Sequence, residues 1–174
     1  DWGWSPQVTE DGRWLVVNVW RGGAEDRVMV QDLRQTGSKL EPIVEEFEDE
    51  WSLVGSDGPR LYFRTTKDAP RGRLVSIDMS DPQRAMQEVI AETDDQLRGV
   101  SLVGDHFVTN RLHHATSLVQ VYNKAGQHWH TDGTGITIFT APHVHEEPER
   151  VTRFLCGYCA FDLLSPDQQH IARN

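Results

Sequence analysis

The residues best suited to chemistry lie near the C-terminal end. His143 and His145 form a His-x-His, and Cys156 and Cys159 form a Cys-x-x-Cys. Two imidazole nitrogens and two thiolates suit tetrahedral zinc, and the cysteine spacing is that of a metal knuckle. Cys-Gly-Tyr-Cys also fits a dithiol redox pair, which needs its first thiol at a helix N-terminus to lower the pKa. The flanking residues do not establish such a helix, so zinc, redox chemistry and incidental side chains all stay open. His113 and His114 are adjacent, and on an extended chain adjacent side chains point to opposite faces, so a shared ion is not expected. His128 and His130 would share one strand face beside Trp129, but no third ligand accompanies them. The acidic run Glu45 to Glu50 lacks the alternating oxygen ligands and glycine turn of a calcium loop, and is expected to be a solvated link. A serine nucleophile on a strained elbow needs Gly-x-Ser-x-Gly. The nearest string, Gly55-Ser56-Asp57-Gly58, has the wrong spacing and is expected to be a plain turn. No catalytic residue, metal site or cofactor is therefore expected in this chain.

The elements that would carry these residues follow a repeat. Asp11-Gly12, Asp57-Gly58 and Gly104-Asp105 place a glycine every 46 residues. RVMVQDL (27–33) recurs as RLVSIDM (73–79) with the same shift, and more loosely as SLVQVYN (117–123). PIVEE (42–46) recurs as EVIAE (88–92), again 46 residues on. Each unit contains short runs rich in Val, Ile, Leu and aromatic residues, separated by Gly and Pro breakers. In RLVSIDM, Leu74, Ser76 and Asp78 fall on one face and Val75, Ile77 and Met79 on the other. Four antiparallel strands in about 46 residues make one blade of a β-propeller. A β-sandwich is the rival all-β reading, but it predicts no constant repeat. The expected fold is thus all-β, a propeller fragment of about three four-stranded blades over residues 1–130, followed by an uncertain tail over 131–174. Trp14 and Trp20 are expected to pack between blades. A propeller needs at least about four blades to close its ring, so either further blades or paired copies are expected to cover the ends.

Composition narrows the partners. The net charge is −10, with 25% charged and 37% hydrophobic residues among 174, which fits one globular domain. Nucleic acid is not expected as a partner, because a phosphate backbone calls for clustered Lys and Arg. A membrane is not expected either, since the longest apolar run is Trp14 to Val17. The two cysteines exclude a disulfide-rich scaffold. A start at Asp1 rather than Met is expected of a processed or excised piece.

The run SPQVTEDGRWLVVNVWRGGAEDRVMVQDL (5–33) resembles the propeller of the prolyl oligopeptidase family, where a "DGRYL" strand leads into an Arg-bearing loop and a strand ending Asp-Leu. LYFRTTKDAPRGRLVSIDMSDP (61–82) is similar to the family's most specific passage, with Thr65, Ala69, Pro70, Arg73, Leu74, Ile77, Asp78 and Pro82 in step. LVQVYNKAGQHWH (118–130) resembles the end of a third blade. The resemblance covers about residues 5–128 and implies a cap over an α/β-hydrolase domain in a serine peptidase that cuts short peptides after proline. The implied partners are that hydrolase domain, the remaining blades and short proline-containing peptides. It also implies that Arg21 brings a positive charge toward the peptide and that Ala24 lines a distal pocket, where the family often has a bulkier residue. The alternative for Arg21 is a hairpin arginine beside Glu25 or Asp26. A free-standing propeller-like binding module is the alternative for the whole chain. The compartment stays open between cytoplasm and periplasm. For residues 131–174 a divergent fourth blade, a frameshift or splice of unrelated sequence, and an inserted functional segment all stay open.

Overall fold

The structure, a computed structural model, describes residues 2–132. Their strands in chain order are β1 (Gly3–Val8), β2 (Trp14–Trp20), β3 (Asp26–Asp32), β4 (Glu41–Val44), β5 (Trp51–Asp57), β6 (Arg60–Thr65), β7 (Arg73–Asp78), β8 (Met86–Ile90), β9 (Gln96–Val103), β10 (His106–His113), β11 (Thr116–Asn123) and β12 (His128–Asp132). Turn chemistry divides them. Gly12, Gly58 and Gly104 have φ of 69°, 58° and 56°, the left-handed region that glycine enters without steric cost. Each lies in the turn between the first and second strands of a unit, so the 46-residue landmark is a backbone requirement repeated in every blade.

The strands form three four-stranded sheets, each in chain order: β1-β2-β3-β4, β5-β6-β7-β8 and β9-β10-β11-β12. The pairings are antiparallel, as short loops between consecutive strands demand. This is the expected partial propeller. β1 carried too weak a pattern to be read beforehand, while β12 was anticipated only through the strand spacing of His128 and His130. Pro6 and Gln7 dilute β1, and Pro6 is tolerated because β1 is an edge strand with one hydrogen-bonded neighbour. Pro42 in β4, at the other edge of the same sheet, obeys the same rule.

Alternation along the strands builds two cores. Trp14, Val16, Val28 and Val30 of the first blade pack with Trp51, Leu61, Phe63, Val75 and Ile77 of the second. Tyr62, Leu74 and Ile90 of the second blade pack with Phe107 and Tyr122 of the third. The middle sheet therefore has no solvent face: Leu61 and Phe63 serve one core, and Tyr62 between them serves the other. Met79 also packs against the first core, as the reading of 73–79 expected. Trp14 joins blades as anticipated and donates its indole N–H to the Gly58 carbonyl at 2.8 Å. Trp20 does not. It ends β2, is 37% exposed, and lies over Gly3, where an added Cβ would overlap its ring. A position at the last residue of the strand carries it past the edge of the interblade core.

Because Tyr62 and Phe63 are neighbours buried in different cores, Tyr62→Ala and Phe63→Ala should each lower unfolding stability by about 3–5 kcal/mol in a urea titration. In a sheet with a solvent face, one of two adjacent substitutions would change stability by only about 0.5 kcal/mol.

Candidate functional site

The meander gives each blade two ends. The first-to-second and third-to-fourth strand turns lie at one end, and the second-to-third loops lie at the other with the links between blades. Arg21 and Ala24 are in the β2–β3 loop at this second end, and both are exposed. The loop is tied to the first interblade link. The Asp26 amide donates to the Asp49 carbonyl at 2.9 Å, and Arg27 Nε donates to the Glu45 carbonyl at 2.6 Å. Phe47, in the same link, receives two cations: the guanidinium carbons of Arg21 and Arg27 lie 5.4 Å and 5.3 Å from its ring centre. Trp2 meets the Phe47 ring edge-on at 5.5 Å. Among the described residues no carboxylate forms an ion pair with Arg21.

Arg21 is an exposed loop residue, as its alternative reading had it, but it forms no ion pair with Glu25 or Asp26. Asp26 faces inward instead, 3.4 Å from the Trp51 amide, and burial raises its pKa while that amide and Asn18 oppose the rise. A face-on aromatic ring attracts a guanidinium without neutralising it, so Arg21 keeps its charge and its donors. Sequence reading singled out Arg21 but missed Phe47, because that residue lies inside an acidic run. The run is also less free than a solvated link: Glu50 Oε2 pairs with Arg64 Nη1 at 3.1 Å, and Asp49 Oδ2 pairs with Lys67 Nζ at 3.7 Å.

The second link is held by an equally unanticipated residue of β10. Arg111, 1% exposed, donates from Nη1 to Thr93 Oγ1 at 2.9 Å and to the Asp95 carbonyl at 3.2 Å, and from Nη2 to the Ala91 carbonyl at 3.0 Å. It fixes the path from blade two to blade three. His113 Nδ1 lies 2.9 Å from both Asp95 carboxylate oxygens. The rings of His113 and His114 do not diverge as expected for adjacent strand residues but meet edge-on at 4.3 Å. His114 has φ of 43°, and this left-handed turn breaks the alternation. Among the described residues no group of three His, Cys, Asp or Glu side chains could hold a metal ion. His128 lies in β12 and meets the Tyr122 ring at 5.4 Å. His143, His145, Cys156 and Cys159, and the side chain of His130, lie outside the described residues.

At the opposite end of the blades is a cavity of about 670 Å³, lined by Gln7, Thr9 and Asp11 of the first blade, Leu53 and Ser56 of the second, and Leu102 of the third. Its lining comes from β1, β5, β9 and the β1–β2 turn and excludes Arg21 and Ala24. Near it, Lys124 Nζ sits 3.0 Å from both Asp57 Oδ2 and Asp105 Oδ1, bridging the turns of blades two and three. Hydrogen bonds to Asp105 and Asp57 raise the Lys124 pKa, and the bond from Lys124 lowers that of Asp105.

Three meandering sheets stacked face to face define a β-propeller segment. A family model described as the prolyl oligopeptidase N-terminal β-propeller domain matches residues 1–167, and the chain belongs to that family. It is 33% identical over 124 residues to a prolyl endopeptidase of Elizabethkingia miricola, covering 71% of this chain and 17% of the relative. It is 32% identical to prolyl oligopeptidase A of Amanita bisporigera, covering 53% of this chain and 13% of the relative. The chain thus spans less than a fifth of the curated relatives it matches. Prolyl oligopeptidase B from Galerina marginata superposes with a TM-score of 0.72 at 21% identity, over 76% of this chain and 20% of that one, which supports the fold.

The Lys124 bridge should act between the two titrations. Its stabilisation is complete below the ordinary lysine value of 10.5 and fades as pH rises through the raised Lys124 value. On the acid side it is complete above the ordinary aspartate value of 3.8 and fades as pH falls through the lowered Asp105 value. The difference in urea midpoint between wild type and Lys124→Met should be constant near neutrality and vanish well below pH 3.8. A difference that persists unchanged in acid would contradict the bridge.

Proposed function

We propose that the chain forms part of the propeller cap of a serine peptidase acting on short proline-containing peptides. In this reading the cap limits entry to the cavity, and an α/β-hydrolase domain of the same protein supplies the catalytic residues. The blades described here hold strand-borne apolar cores and an exposed loop bearing Arg21, a construction suited to walling and gripping and not to bond cleavage. Family membership supports the peptidase assignment. The observation that carries the role of this segment is Arg21: exposed, charged, braced by Phe47 and in no ion pair among the described residues. A guanidinium so placed can donate to a peptide carbonyl or a terminal carboxylate; Gly22 borders open space, while the Glu25 carboxylate fills the space beside Gly23. Ala24, exposed in the same loop, would leave a roomy distal pocket.

Two measurements test this. The isolated chain should not hydrolyse a fluorogenic peptide with proline before the scissile bond. In the protein that carries the hydrolase domain, Arg21→Ala should raise KM about tenfold, the worth of a charged hydrogen bond, with a much smaller change in kcat. Phe47→Leu should produce a weaker version of the same shift by loosening the brace. An unchanged KM in Arg21→Ala would remove Arg21 from the substrate site.

A further inference from the structure

The joints between blades repeat in their polar chemistry as well as their cores. Asn18 Nδ2 donates to the Trp51 carbonyl at 2.7 Å, and Arg64 Nε donates to the Leu97 carbonyl at 2.7 Å. Asn18 and Arg64 are 46 residues apart, and so are Trp51 and Leu97. In both joints a side chain on the second strand of one blade reaches the carbonyl at the head of the next blade's first strand. The head residue is apolar and covered by the preceding blade: Trp51 is 3% exposed and Leu97 is 0% exposed. The Leu97 amide also donates to the Arg71 carbonyl of that blade at 2.7 Å.

Both halves of this joint recur at the ends of the segment without a mate. Trp51 pairs with Thr65 and Leu97 with Arg111. The equivalent rung in the first blade pairs Trp4 with Val19, which makes Trp4 the head residue, and it is 56% exposed. Asn110 follows Arg64 by 46 residues on the second strand of the third blade. It is exposed, and its side chain has no hydrogen-bond partner among the described residues. The third-strand residue opposite the donor is Val28 in the first blade and Leu74 in the second, both fully buried; opposite Asn110 it is Val119, which is half-buried.

We infer that Trp4 and Asn110 are docking groups for the blades on either side. Trp4 is the apolar head seated in the blade before, and Asn110 is the donor to the carbonyl at the head of the blade after. The occupant of each face is a four-stranded antiparallel blade of the same polypeptide, which rests on the reading of this segment as part of a longer propeller. Three blades are fewer than a ring requires, and the relatives are several times longer than this chain. A backbone carbonyl imposes no side-chain identity on the partner, so the joint needs only an apolar residue at the head of the incoming strand.

The test uses the protein expressed from its natural gene. Its intact mass is measured, Trp4 is compared with Trp51 by hydroxyl-radical footprinting, and Asn110→Ala, Asn110→Arg and Asn18→Ala are unfolded in urea. The inference expects a product well above 19.8 kDa, with Trp4 oxidised as slowly as Trp51. It expects Asn110→Ala to lower the folding equilibrium constant about fivefold, as Asn18→Ala does. Asn110→Arg should retain wild-type stability, because Arg64 makes the same bond one blade earlier. A longer product in which Trp4 oxidises freely and Asn110→Ala is silent overturns the inference and leaves the peptidase reading standing. A monomeric 19.8 kDa product overturns both. A dimer of that product split by Asn110→Ala identifies a second copy as the occupant and overturns the same-polypeptide assignment.

Discussion

The structure depends on burying both faces of a sheet. A four-stranded meander with one face in water needs only a simple alternation of apolar and polar residues. The middle blade here replaces the polar half with a second apolar set, so that Leu61 and Phe63 require a blade on one side and Tyr62 and Leu74 require one on the other. Nothing within a single blade can satisfy that pattern. The blade is stable only as a member of a stack, and the stack sets where every loop emerges.

Polar groups make the stacking directional. Asn18 and Arg64 each reach forward to the carbonyl that opens the next blade, while Arg111 ties down the link that leads into the third. Apolar faces alone would allow sheets to slide across one another. A donor fixed opposite a single carbonyl gives the joint one register. Because the joint consumes the sheet faces, variation is left to the strand ends. The β2–β3 loop, with Arg21 held above Phe47, stands outside both cores and can vary without disturbing them. The cavity lined by the first strands of the three blades is a consequence of stacking and is separate from that loop.

Much of this was legible beforehand, for identifiable reasons. Gly12, Gly58 and Gly104 announced the repeat because a left-handed turn residue tolerates few substitutes. The alternation of residues 73–79 was legible and put Val75, Ile77 and Met79 on one face, but burial of the opposite face was not, because Ser76 and Asp78 make that face look solvent-facing. β1 escaped notice because an edge strand can carry proline and polar residues without losing its ladder. Trp20 misled because its residue type favours burial while its position at the strand end governs its fate. The brace under Arg21 was invisible, since Phe47 sits far along the chain among carboxylates. The forward-reaching donors were hidden because an amide and a guanidinium perform the same task at equivalent positions, and only geometry shows them equivalent.

The central claim is that the middle blade owes its stability to joints on both sides. Amide hydrogen exchange resolved by residue, on the 174-residue chain alone with its outer blade faces uncovered, tests it most directly. The account predicts the slowest exchange in β6 and β7, with β2 and β10 faster and the edge strands β1 and β4 fastest. Equal protection across the three sheets, or greatest protection in the first blade, would contradict it.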